Sequence, residues 1–123
     1  MKGSELNLYL LKSIPEIKEK YEEETSWQEK DETGSHTVFG NVFTPYLLSC
    51  GENKDFENLK KCFDFIEDIL LANDEYSEEV IAFSVLERIY DETGKNYEKF
   101  MKARTRKLFE EIVHIYFSND FGI

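Results

Sequence analysis

Residues 77–92, SEEVIAFSVLERIYDE, decide the fold. Placed on a helix at 100° per residue, Ile81, Ala82, Phe83, Val85, Leu86, Ile89 and Tyr90 cover an arc of roughly 200°, while Val80, Ser84, Glu87, Arg88 and Asp91 fill the remainder. An apolar arc that wide needs neighbours on more than one side. It predicts the central helix of an all-α domain, with a narrow acidic strip facing water.

Upstream, Asp55 reads as the cap of an amphipathic helix that ends near Asn73. Its Phe56, Leu59, Cys62, Phe63, Ile66, Ile69 and Leu70 fall on one side and Lys60, Asp64, Glu67 and Asp68 on the other. The acidic turn of Asn73, Asp74 and Glu75 joins it to the central helix, which Gly94 closes in the position a C′ glycine takes. Beyond that glycine, Tyr97, Phe100 and Met101 suggest a short helix. Residues 105–117 then make a longer one, whose Leu108, Phe109, Ile112, Val113, Ile115 and Tyr116 share a face.

The amino-terminal half is less periodic. Ser4 reads as the cap of a helix over 4–12 with Leu6, Tyr9 and Leu10 inward. Ser13 and Glu16 have the spacing of a capping box, with Pro15 in the first turn of a second helix marked by Ile14, Ile17 and Tyr21. HTVFGNVF, residues 36–43, carries β-branched and aromatic residues around Gly40 and predicts an extended, buried connector. Thr44 and Pro45 then read as cap and first residue of a short helix stopping near Gly51. The expectation is a single-domain helical bundle over residues 1–123, with an irregular connector near 33–44.

A chain of 123 residues can bury roughly two-thirds of its unfolded surface, enough for a core without metal or disulfide staples. Cys50 and Cys62 form no CxxC pair and have no third cysteine to complete a zinc ribbon, so neither needs a disulfide. No apolar stretch approaches the roughly 20 residues of a spanning helix, and the amino terminus lacks the features of a secretory signal. A cytoplasmic protein without membrane contact is expected.

Charge is the strongest compositional signal. The chain carries a net charge of −11, and residues 74–93 hold seven acids against one base, whereas residues 94–123 hold six bases against four acids. Such a surface repels nucleic acid and anionic membrane and attracts basic proteins within the Debye length, roughly 8 Å at physiological salt. The bland alternative is solubility alone. The basic run Lys102, Arg104, Arg106 and Lys107 has no interleaved aromatic platform for nucleic acid. It is expected to pair with the acidic segment 74–93 or to complement a helix end.

Catalytic chemistry is hard to place. Glu111 and His114 have the Glu-x-x-His spacing of carboxylate-bridged metal bundles, but the only other histidine, His36, has Thr33 three residues before it, so the second motif cannot be built. His114 falls on the polar face of its helix, where a solvated histidine is the simpler reading. Neither cysteine has an electropositive, helix-opening setting that would activate it. The chain contains no GxGxxG, GxxxxGK or other Gly-rich phosphate cradle. It reads as non-enzymatic, with no cofactor.

The ordered runs FGNVFTPYLL, FENLKKCFDFIEDIL, VIAFSVLERIYDE and TRKLFEEIVHIY resemble a family of small, acidic, all-helical bacterial proteins of unassigned biochemistry. The resemblance rests on Phe39, Gly40, Pro45, Tyr46 and Leu47; Phe63, Asp64, Phe65 and Glu67; Ala82, Ser84, Val85, Leu86 and Glu87; and Thr105, Arg106 and Leu108. Asn41 stands where the family favours an acid, and Lys102 with Ala103 replaces a Gly-Pro. Members of such families often lie beside polymorphic or contact-dependent toxins and resemble immunity proteins. The resemblance therefore implies a cytoplasmic immunity protein that binds a cognate basic toxin domain, in many such systems a nuclease.

Charge places the expected contact on Asp74, Glu75, Glu78, Glu79, Glu87 and Asp91, with Glu23, Asp31 and Glu32 as a second patch. Alternatively the acids are inert and Trp27 anchors the contact within residues 27–36, since aromatic side chains carry interface energy more often than rim acids. The competing function is an acidic adaptor or nucleic-acid mimic that binds many basic proteins and has no dedicated toxin.

Overall fold

The computed structural model describes the backbone of residues 3–26 and 34–120 and the side chains of 5–26 and 34–115. These residues form six helices and no strand, the all-α class the periodicity predicts. In chain order they are α1, Gly3–Ser13; α2, Lys18–Thr25; α3, continuous over 35–52; α4, Phe56–Leu71; α5, continuous over 75–93; and α6, Ala103–Asp120. Single 3-10 turns at Pro15–Ile17 and Glu98–Phe100 precede α2 and α6. The buried apolar side chains of all six helices make one cluster.

Helix α3 corrects the expected extended connector. Residues Ser35–Val38 are already α-helical, Phe39–Phe43 widen into a π segment, and Thr44–Glu52 continue the helix. Pro45 explains the widening. A proline inside a regular α-helix meets the carbonyl four residues back and removes a hydrogen bond, and a π turn just before it relieves the clash. The N–H of Thr44 bonds to the Phe39 carbonyl, five residues back. In that register the next N–H would serve Gly40, but Pro45 has none. Arg88 supplies the missing donor, its guanidinium 2.9 Å from the Gly40 oxygen.

Thr44 is consequently not a cap. Its backbone is helical, and its hydroxyl lies 2.9 Å from the Phe39 carbonyl oxygen and 2.8 Å from that of Ser84, donating to this pair. Gly51 lies inside α3 rather than just beyond it, and a Cβ there would sit 1.8 Å from the Tyr97 hydroxyl oxygen. Glycine is what lets the Tyr97 ring lie against this helix.

Helix α5 is the central helix, and it too is widened, with a π segment at Ile81–Leu86 between Glu75–Val80 and Glu87–Thr93. The extra residue in that turn rotates the apolar pattern. Val80 and Ser84, placed outside by a fixed 100° step, are buried, whereas Phe83, placed inside, is 57% exposed. The two π segments pack against each other, joined by the Thr44 and Arg88 bonds and by a 2.7 Å contact between His36 Nδ1 and Ser84 Oγ.

Helices α1 and α2 close one side. Leu6 and Leu10 are fully buried, and Ser35 donates to Asn7 at 2.9 Å, tying α1 to the start of α3. Helix α1 begins at Gly3, so Ser4 lies within it. The capping box at Ser13 does not form. Ser13 stays in the last turn of α1, and Ile14, buried at the entry to the 3-10 turn, takes the cap position without a side-chain bond. Ile17 and Tyr21 are buried as predicted.

Helix α4 begins at the predicted cap, Asp55, whose carboxylate accepts from the Asn58 N–H. Phe56, expected inside, is 52% exposed and stacks on Phe100. Glu67, expected outside, is buried for a specific reason. Its carboxylate accepts from the N–H of Arg104 at 3.2 Å and from the N–H and hydroxyl of Thr105 at 2.9 and 2.8 Å. The first turn of α6 has N–H groups with no helical partner, and Glu67 caps them from a neighbouring helix. Leu108, Phe109 and Ile112 then bury the inner face of α6; Ile115 is 57% exposed, and Tyr116 lies outside the described side chains.

Burial raises the Glu67 pKa, but the hydrogen bonds from Thr105 and Arg104, with Lys102 nearby, outweigh it and leave the carboxyl below its ordinary value. A folded-state value below the unfolded one of about 4.3 gives a stabilisation that is full above that pH and fades as pH falls through the folded value. Glu67→Gln should therefore cost about 1–3 kcal/mol at neutral pH. In urea titrations, its deficit against the parent should shrink as pH is lowered from about 6 to about 3. A deficit independent of pH would contradict the ionised cap. Arg88→Met strips the donor from the Gly40 carbonyl and should lower stability by about 1–3 kcal/mol in the same assay.

Candidate functional site

The acids of the loop before α5 and of its first turns divide by what their carboxylates already do. Asp74 caps α5, accepting from the Ser77 N–H at 3.1 Å and from its hydroxyl at 2.5 Å. It is half-buried, and its work is to start the helix. Glu78 pairs with Arg104 of α6 at 3.0 Å. Glu75 and Glu79 are exposed, one helical turn apart on the same face.

These acids meet apolar groups in a groove. Glu75, Glu78 and Glu79 line it together with Asn73, Ala82, Phe83 and Leu108, around a volume of about 430 Å³. The floor comes from two helices. Phe83 is turned outward by the π segment, and Leu108 is presented by α6, which Glu67 holds against α4. The result is an exposed aromatic ring beside carboxylates, a surface that suits a side chain with an apolar stem and a cationic end.

Of the other acids in the expected contact, Glu87 is half-buried and Asp91 exposed beyond the π segment; neither lines this groove. Glu23 is exposed on α2. Trp27, Asp31 and Glu32, the remainder of the second patch and the aromatic anchor, lie outside the described residues. The structure thus brings Glu75, Glu78 and Glu79 together. It adds Phe83, Leu108 and Arg104, which sequence reading left out. For Phe83 the signal was the proline-free π turn, which a regular periodicity cannot register. For Arg104 it was the expected pairing of the basic run with segment 74–93, without a named partner.

Two further members of that run are also engaged. Lys102 pairs with Asp64 at 3.1 Å, and Arg106 donates at 3.2 Å to the carbonyls of Glu98 and Met101, at the end of the 3-10 turn. A second groove, of about 420 Å³, is lined by Lys95, Glu98, Glu110, Val113 and His114, with mixed charge. His114 and Glu111 are both exposed. No group of three His, Cys, Asp or Glu side chains that could hold a metal ion occurs among the described residues. Cys50 and Cys62 are buried free thiols, and burial pushes both up from the ordinary thiol range, so neither is a thiolate at neutral pH. No described helix is long and apolar enough to cross a membrane.

The sequence matches, over residues 7–116, a family described as a domain of unknown function, DUF7674. No curated protein and no solved structure gives a significant match.

Because Phe83 is more than half exposed and packs little of its surface inside, Phe83→Ala should change stability by no more than about 0.5–1 kcal/mol in urea titration. A larger loss would place the ring in the core and remove it from the site.

Proposed function

We propose that this chain, which belongs to the DUF7674 family, is an immunity protein: a non-enzymatic, cytoplasmic inhibitor that binds a basic toxin domain, in the first instance a nuclease. The observation that carries the reading is the groove beside α5, which Glu75, Glu78 and Glu79 line together with the exposed Phe83. Acids alone accelerate encounter, whereas a buried aromatic anchor holds a complex once formed. A surface with both suits a partner whose cleft is lined with lysine and arginine for binding phosphates. The net charge of −11 supports the same reading through steering, because a basic cleft is approached faster under an opposite field. The four ordered runs resemble a family of small bacterial proteins of unassigned biochemistry, a kind of family whose members often lie beside toxins, and that resemblance is a further support.

The second reading, an acidic adaptor or nucleic-acid mimic, shares the charge and differs in selectivity. An inhibitor binds one partner tightly and ignores other basic proteins, whereas a mimic binds several, with affinity that collapses as salt rises. Capture from the native cell at moderate salt, with the retained proteins identified by mass spectrometry, separates the two. One dominant partner carrying a toxin domain supports immunity; a broad salt-labile set supports the mimic.

With that partner purified, reversing Glu75, Glu78 and Glu79 to Lys should slow association by about tenfold or more and flatten its dependence on salt, measured by stopped flow. Unchanged association would remove the groove from the contact.

A further inference from the structure

We infer that the groove beside α5 is a receptor for one arginine side chain of the partner, an inference that rests on the reading of this face as the binding surface. Three features select the occupant. The first is charge. Of the carboxylates of Glu75, Glu78 and Glu79, Glu78 is matched by Arg104 at 3.0 Å, which leaves two negative groups in excess in the groove lining among the described residues. An acidic or neutral polar residue entering here would meet repulsion or strip water from carboxylates without replacing it.

The second feature is spacing. Glu75 and Glu79 stand at i and i+4, with Cβ atoms roughly 5–6 Å apart on one face. The five N–H donors of a guanidinium lie in a planar fork that can engage two carboxylates at once. A lysine ammonium is a compact charge with no such fork, and its stronger hydration makes it costlier to dock.

The third is the floor. Phe83 is 57% exposed, and Ala82 and Leu108 line the groove with it. A guanidinium stacks flat on an aromatic face while its three methylenes lie along apolar surface, a combination a shorter cation cannot reproduce. A volume of about 430 Å³ has room for one long side chain.

The test is a titration of the isotopically labelled full chain, followed by NMR, with three blocked tripeptides: Ala-Arg-Ala, Ala-Lys-Ala and Ala-citrulline-Ala. The arginine peptide should give saturable shifts confined to the neighbourhood of Glu75, Glu79, Phe83 and Leu108. The lysine peptide should bind about three- to fivefold more weakly and the uncharged citrulline peptide not at all. Phe83→Ser and the double change Glu75→Gln, Glu79→Gln should each weaken the arginine peptide, while Glu57→Gln on α4 should not. Equal binding of arginine and lysine, or shifts spread over all surface acids, would overturn the inference.

Failure here and failure of the functional reading are distinguishable. A toxin domain that docks on this face without arginine preference would retire the inference and keep the function. An arginine-selective groove on a chain whose partner binds elsewhere would keep the selectivity and retire this face as the toxin contact.

Discussion

Two helices cross at the centre of this protein, each carrying a π segment, and the polar backbone groups at the crossing must be bonded without water. That requirement organises the rest. Pro45 cannot donate to the Gly40 carbonyl, so Arg88 reaches across from α5 to do it. Thr44, whose hydroxyl could have capped a helix, bridges to the Ser84 carbonyl of the facing segment. His36 and Ser84 complete the contact at 2.7 Å. A buried carbonyl without a partner costs about 1–3 kcal/mol, a large share of a domain's stability of about 5–15 kcal/mol. The crossing therefore holds only as a set.

The same crossing produces the candidate site. An extra residue in the turn of α5 shifts everything beyond it around the helix, so Phe83 turns to water and Ser84 turns inward. The rest of the groove comes from α6, where Glu67 binds the first N–H groups, Leu108, Phe109 and Ile112 bury the inner face, and Arg104 meets Glu78. Backbone geometry in one helix and one cap in another thus bring an aromatic ring, acids and a leucine together.

Much of this was legible in the sequence, and the parts that were not share a cause. Helix α4 was readable from its cap and its apolar face, Gly94 from its place after the central helix, and the pairing of Arg104, one member of the basic run, with the acidic segment from charge balance. Gly40 with β-branched and aromatic neighbours read as extended because local propensity cannot sense a π turn, which two helices stabilise only once packed. The burial of Glu67 was illegible because its partners lie 37 and 38 residues away. Phe83 was misplaced by the assumption of a constant helical step. Of the expected contact, Glu75, Glu78 and Glu79 fall in one groove, while Asp74 proves to be a cap.

We propose that the phase shift in α5 builds the surface through which this protein meets a partner. Hydrogen exchange of the chain, free and with a bound partner recovered by capture from the native cell, tests that proposal. New protection should concentrate at residues 75–83 and in the turn of α6 around Leu108. Protection confined to α2 and residues 27–36, with the α5 groove exchanging as in the free protein, would contradict it.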